Sequence, residues 1–202
     1  MADAAVDYSR HFTYGDYRKW PDEERWELID GQAFSMCAAP SLRHQGMVGW
    51  LSGELRDFLK GKTCRLYISP VDVLLPKPGQ GDDETDTVVE PDIVVVCDPK
   101  KLTSAFIRGA PDLVVEILSP RTSKRDMKEK FELYERSGVR EYWVVEPKAA
   151  WLHRYVLRIV ESSSEGRYGE ALIREKGDGL GHAASLVLDG FSFDTEALFA
   201  AE

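Results

Sequence analysis

A chain of 202 residues, 43% hydrophobic and 30% charged, has the composition of one globular domain with its own core, which excludes disordered and fibrous classes. Its formal net charge of −9, from 26 basic against 35 acidic residues, argues against loose, charge-driven binding to nucleic acid, because such binding depends on neutralising phosphates. Apolar runs such as Ile93 to Cys97 fall far below the roughly 18 residues of a bilayer span, and Met1 to Asp7 has neither the basic nor the apolar region of a secretory signal.

The expectation is therefore a soluble, cytoplasmic protein with no membrane partner. Cys37, Cys64 and Cys97 agree with it: the odd count, the wide spacing and the lack of a C-x-x-C pair suit a reducing compartment, with each thiol acting as a small buried hydrophobe.

In chain order, a short polar helix to about Trp20 precedes a hairpin, residues 26–37, whose Asp30-Gly31 pair between short apolar runs is a hairpin-turn signal. Ser41 is a good N-cap for a helix to Gly61, in which Met47, Val48, Leu51, Leu55 and Phe58 recur at helical spacing. Strands are expected at Arg65 to Ser69 and Asp72 to Leu75, then a solvated loop from Pro76 to Thr87. Five acids and no base fall between Asp82 and Glu90.

Ile93 to Cys97 is apolar throughout, as in a strand covered on both faces, and Leu113 to Leu118 matches it except at Glu116. The segments Glu90-Pro-Asp-Ile-Val-Val and Ala110-Pro-Asp-Leu-Val-Val look like two similar strand starts. Thr122 or Ser123 can cap a helix ending at Gly138, a natural C′ residue, and Tyr142 to Val145 is another buried strand. Strand, helix, strand at this spacing makes a right-handed parallel crossover the default. The tail alternates short strands and turns and closes in a small helix at Thr195 to Ala200. The chain reads as a single domain over 1–202, with a core at 41–147, the hairpin at 26–37 and C-terminal strands at 150–200.

Glu116 carries the most information, since an ionised carboxylate in an apolar strand is costly unless a cation or hydrogen-bond donors compensate it. Two readings stand open: a structural ion pair to an arginine, or a bound cation. Asp112, four residues earlier on the strand, is about 13 Å away and cannot share an ion with Glu116. Asp92 can, if the two strands pair antiparallel, because the start of one then meets the end of the other.

Lys130 borders the stripe of Met127, Phe131 and Tyr134 and leans toward the Glu116 end; alternatively it snorkels and pairs with Asp126. His44 extends the stripe of its helix to the first turn, where a capping or packing role competes with a catalytic one. Glu27 is either a site residue or a plain exposed strand residue, and Glu54, near the inner face of the same helix as His44, is a further carboxylate. Arg121, Lys124, Arg125, Lys128 and Lys130 form a basic stretch that includes only Asp126 and Glu129 as acids. There is no phosphate loop, no G-x-S-x-G and no H-E-x-x-H.

Trp26-Glu-Leu-Ile-Asp-Gly, Ala39-Pro-Ser-x-x-His44, Pro91-Asp92, Pro111-Asp-Leu-Val-Val-Glu116-Ile-Leu-Ser-Pro, Asp126-x-x-x-Lys130-x-x-x-Tyr134 and Gly138-Val-x-Glu-Tyr-Trp-Val-Val together resemble the Uma-two family, a bacterial family of restriction-endonuclease-like proteins. The resemblance runs over about residues 15 to 200. It implies the PD-(D/E)XK nuclease fold, an α/β (mixed α+β) domain whose mixed sheet is flanked by helices, here with an extra hairpin and extra C-terminal strands.

It further implies Mg²⁺ or Mn²⁺ held by Asp92, Glu116 and the backbone carbonyl of Ile117, with a lysine beside them, and a nucleic-acid substrate, DNA in the first instance. The motif places that lysine at position 118, where this chain has Leu118; some relatives supply it from the following helix, which makes Lys130 the candidate. His44 and Glu27 complete the expected site. The expected reaction is phosphodiester hydrolysis by a homodimer. The alternatives are a non-catalytic binding or assembly domain that keeps the fold, and an enzyme acting on another phosphate ester.

Overall fold

The computed structural model describes residues 10–21, 24–36, 40–119, 127–159, 166–169, 172–175 and 181–201. The N-terminal hairpin pairs β1 (Trp26–Ile29) with β2 (Gln32–Ser35) around Asp30 and Gly31, both at positive φ (48° and 78°). Those angles are what a two-residue turn matching the twist of its strands requires. A side chain at position 31 would collide with the His11 ring, so glycine is needed there for space as well.

The hairpin is not an appendage. It forms part of a five-stranded sheet, in the order β2-β1-β5-β4-β7, with β4 (Val73–Leu74), β5 (Val88–Val89) and β7 (Ile107–Arg108). The sequence carries little warning of it, because three of its strands are only two residues long and show no measurable alternation.

The larger sheet has the order β11-β10-β9-β8-β6-β3, with β12 also paired to β10. Its members are β3 (Arg65–Ile68), β6 (Ile93–Val96), β8 (Leu113–Ile117), β9 (Glu141–Glu146), β10 (Trp151–Ile159), β11 (Gly166–Tyr168) and β12 (Leu172–Glu175). β6 and β8 run antiparallel, while β8 and β9 run parallel, joined by α3 (Glu129–Ser137), so the expected parallel crossover is present. Gly138 closes α3 in the left-handed conformation (φ 86°), a cap that side-chain-bearing residues adopt at a cost.

Each face of the larger sheet has its own core. Helix α2 (Leu42–Leu59) lays Met47, Leu51 and Leu55, all fully buried, on Ile93, Val95, Val115 and Ile117. Each such side chain contributes about 1.5–3 kcal/mol through burial. The opposite face, Val94, Val96, Val114, Leu118, Tyr142 and Val144, packs on α3 and on the inner face of the small sheet. The outer face of the small sheet, with Leu28, Leu74 and Val88, is covered by Phe12 and by Tyr14 of the four-residue helix α1 (Tyr14–Tyr17). At the C-terminus β13 (His182–Ala184) and β14 (Ser192–Asp194) form a hairpin, and α4 (Thr195–Ala200) lies where the sequence places it.

Several expectations need correction. The first helix is one turn long and buries Tyr14 rather than being polar throughout. Glu54 is exposed, on the far side of α2. Met127 is 37% exposed, so the buried face of α3 is Lys130, Leu133 and Tyr134, with Lys130 inside it rather than at its border. The tail contains a nine-residue strand, β10, instead of short strands alone.

Cys64 and Cys97 are joined in a disulfide 33 residues apart in sequence, because the antiparallel pairing that puts Arg65 opposite Val96 brings the preceding and following cysteines together. The reading of isolated thiols is thereby overturned, and the compartment inferred from it loses that support. Cys37, the capping candidates Thr122 and Ser123, Asp126 and the basic residues Arg121, Lys124 and Arg125 lie outside the described residues. No described helix is long and apolar enough to cross a membrane.

Candidate active site

The β6–β8 register pairs Ile93 with Val115 and Val94 with Val114, so Asp92, just before β6, lies beside the end of β8 that carries Glu116 and Ile117. Glu116 follows Val114 on the face occupied by α3, whereas Asp92, a bend residue just before β6, meets the end of β8 and α2 with its carboxylate. Asp92 Oδ2 accepts a hydrogen bond from the Ile117 backbone N–H at 2.7 Å and lies 3.2 Å from His44 Nε2. Ser41 caps α2 by accepting from the His44 N–H at 3.2 Å, which fixes the helix start that aims the imidazole. His44 is thus both a first-turn residue and a partner of Asp92.

Glu116, 4% exposed, accepts through Oε1 from the Lys130 ammonium and from the Tyr134 hydroxyl, each at 2.8 Å. Lys130 is 2% exposed, and its Nζ also lies 2.7 Å from Oε1 of Glu27, which is fully buried. The same Glu27 oxygen accepts the Glu90 backbone N–H at 3.0 Å. Such a lysine is no snorkelling surface residue. Leu118, at the position the nuclease motif gives to lysine, shares the face of Glu116 and is buried, while α3 crosses that face and delivers Lys130 from above.

Asp112 stays at the other end of β8, where it accepts from the Cys97 N–H at 2.7 Å and from Arg140 at 3.0 Å. Its role is to open the strand, as the spacing argument requires. Two neighbours of the site escape sequence reasoning. Tyr134 reads as one more apolar stripe residue, although its spacing of four from Lys130 puts both on one helix face. Glu90 reads as part of an acidic loop; in the fold its side chain pairs with Arg25 and receives the Tyr17 hydroxyl at 3.4 Å, on the face of the small sheet away from Lys130.

Tyr17 is equally 3.4 Å from Asp72. Burial, followed by the negative charge of Glu90, pushes the Asp72 carboxyl up to about 6. Burial likewise drives the Tyr17 phenol upward, with Asp72 and Glu90 adding to it.

As a donor set, Asp92, Glu116 and the Ile117 carbonyl are hard oxygens of the kind Mg²⁺ prefers, and Asp92 meets the end of β8 that carries the other two. Among the described residues, no group of three or more His, Cys, Asp or Glu side chains is gathered as a ready-made metal cage. That is compatible with an ion that keeps several of its waters and takes only one or two carboxylates from the protein.

Fold and site together define a restriction-endonuclease-like protein: a mixed sheet between helices, with an acidic pair and a lysine at one end of its central strands. The pattern of the Uma2 family, described as "Putative restriction endonuclease", matches residues 14–192, and the chain belongs to that family. A crystal structure titled as a putative nuclease belonging to DUF820 from Anabaena variabilis superimposes with a TM-score of 0.69, covering 93% of this chain and 97% of the other at 18% identity. At that identity the likeness speaks to the fold. A Synechocystis sp. protein described as "Uncharacterized protein slr1290" is 31% identical over 121 residues, 59% of this chain and 60% of the relative.

Proposed function

We propose that this protein is a Mg²⁺- or Mn²⁺-dependent nuclease of the PD-(D/E)XK type that hydrolyses phosphodiesters in nucleic acid, DNA in the first instance. The observation that carries the reading is Lys130: buried, and 2.8 Å from Glu116 at the end of β8 that Asp92 also meets, it supplies the lysine missing at position 118.

Asp92 and Glu116, with the Ile117 carbonyl, would hold the divalent ion, which when bound supplies Lewis-acid stabilisation and a water of lowered pKa. Lys130 orients the attacking water and donates to the phosphoryl oxygen on which charge develops. His44 holds Asp92 in place, and Glu27 and Tyr134 hold the Lys130–Glu116 pair. A cytoplasmic homodimer completes the reading; the edge of β3, paired among the described residues only with β6, is open for a second copy.

A second reading draws on the same ion pairs. Lys130 already compensates Glu116, as a cluster retained only for structure would require, and the domain would then bind or assemble without catalysis. Divalent ions separate the two. Mg²⁺ or Mn²⁺ should raise the melting temperature of the wild type, as any ligand of the native state does, and Glu116→Gln should abolish the shift. A shift that survives Glu116→Gln places the ion elsewhere; cleavage of plasmid, single-stranded DNA or RNA under the same ions identifies the substrate.

A further inference from the structure

Of the charged residues of this cluster, Glu116 belongs to the larger sheet and Lys130 to α3, whereas Glu27 comes from the small sheet. It stands on β1 of the small sheet, fully buried, between the apolar neighbours Trp26 and Leu28, and one of its oxygens meets both Lys130 Nζ at 2.7 Å and the Glu90 N–H at 3.0 Å. An ionised group in such a place is retained against a large desolvation cost. Neutralising Lys130 does not require it, because Glu116 alone would do so at 2.8 Å.

The difference lies in the charge sum. Lys130 and Glu116 together are neutral, whereas Glu27, Lys130 and Glu116 together carry one negative charge. In the low effective dielectric of a buried site, one unit charge a few ångström away changes the attraction for a divalent ion severalfold or more.

We propose that Glu27 is a positioning residue that sets the charge of the metal site: by sharing the Lys130 ammonium with Glu116 it leaves that carboxylate the negative charge a divalent cation needs, while fixing Nζ between the two acids. The inference rests on the metal-site reading above. The Glu90 N–H joins this clamp to Glu90-Pro91-Asp92, so the small sheet and the Asp92 strand are held in one unit.

The test is calorimetric titration of Mn²⁺ and Mg²⁺ into the full chain, wild type, Glu27→Gln, Lys130→Gln and the double variant, with folding checked by circular dichroism. The amide introduced by Glu27→Gln keeps an oxygen for the Glu90 N–H, so the change is chiefly one of charge. Glu27→Gln should weaken ion binding on the order of ten- to a hundredfold. Lys130→Gln should tighten it, and the double variant should return to within about threefold of the wild type, because its charge sum is that of the wild type.

A structural role predicts a lower melting temperature with unchanged affinity for Glu27→Gln, and no recovery in the double variant; either result overturns the proposal. Should Glu27→Gln fail to fold, weaker binding by Lys130→Gln overturns it independently. A wild type that binds neither ion removes the metal-site reading and this inference together, whereas a binding wild type with an indifferent Glu27→Gln removes only the latter.

Discussion

Two glutamates on adjacent strands of the larger sheet are both buried and have different partners. Glu116, on β8, faces a lysine and a phenol at hydrogen-bond distance; Glu141, at the start of β9, is fully buried and is hydrogen-bonded to neutral donors mostly from one loop, with the Arg154 guanidinium 4.0 Å away. Its Oε2 accepts from the Ser185 hydroxyl and the backbone N–H groups of Leu186 and Val187, at 2.7 to 3.0 Å, and its Oε1 accepts from Trp143 at 2.7 Å. Fixed backbone donors satisfy a carboxylate permanently, and Glu141 staples the C-terminal turn to the sheet. An ammonium shared between two carboxylates carries a full positive charge that neutral donors do not. Burial alone therefore does not tell the two acids apart; their partners do.

The comparison is broken most sharply at Lys130. If its ammonium acts on the phosphate, Lys130→Met reduces cleavage by a factor on the order of 10² or more. Because two buried carboxylates lose their counter-charge, the same change lowers stability by about 3–5 kcal/mol in the absence of divalent ions, so cleavage is measured well below the melting temperature. Lys128→Met, at an exposed position, is the control and leaves both quantities nearly unchanged. Equal behaviour of the two variants in a cleavage assay would remove the catalytic role of Lys130.

At Glu141 the expected effect is on stability alone. Glu141→Gln turns one acceptor into a donor facing donors and should cost about 2–4 kcal/mol in chemical denaturation. Turnover per folded molecule stays at the wild-type level; a fall in turnover comparable to that of Lys130→Met would erase the distinction between the two acids.

Asp72 supplies a third case, an acid beside another acid. Its carboxyl is raised to about 6 by burial and then by Glu90, above the ordinary value of 3.8, so folding favours the protonated form. The resulting stability is fully present below pH 3.8 and is lost as pH rises toward and through about 6. Asp72→Asn, which cannot ionise, should gain on the order of 1–2 kcal/mol relative to the wild type at about pH 8 and lose that advantage near pH 4. Denaturation midpoints of both proteins at the two pH values decide it, and a difference independent of pH would assign the effect to something other than ionisation.

The smallest effect is expected at Tyr134. Removing its hydroxyl in Tyr134→Phe deletes one hydrogen bond to a charged group whose lysine partner remains, a loss of about 1–2 kcal/mol in stability and less than about tenfold in cleavage. A loss equal to that of Lys130→Met would make the phenol, rather than the ammonium, the indispensable partner of Glu116.

Most of the elements were legible in the order of residues, as was the one acid inside β8. Apolar periodicity outlined α2, the all-apolar runs outlined β6 and β8, and the odd polar residue in β8 drew attention to Glu116, because each of these signals is local to a few residues. The position of Asp92 followed from a single assumption, antiparallel pairing, which the register bears out.

Contacts between residues far apart in the chain came only from the folded packing. Glu27 reaches Lys130 because a sheet made largely of two-residue strands packs on the larger one, Cys64 meets Cys97 because β3 and β6 are neighbours, and Glu141 is held by a loop 44 to 46 residues away. Hydrophobic patterning records which face of a segment is buried, not what lies across from it. The partner of a buried charge is set by packing between elements, and that is where the difference between Glu116 and Glu141 arises.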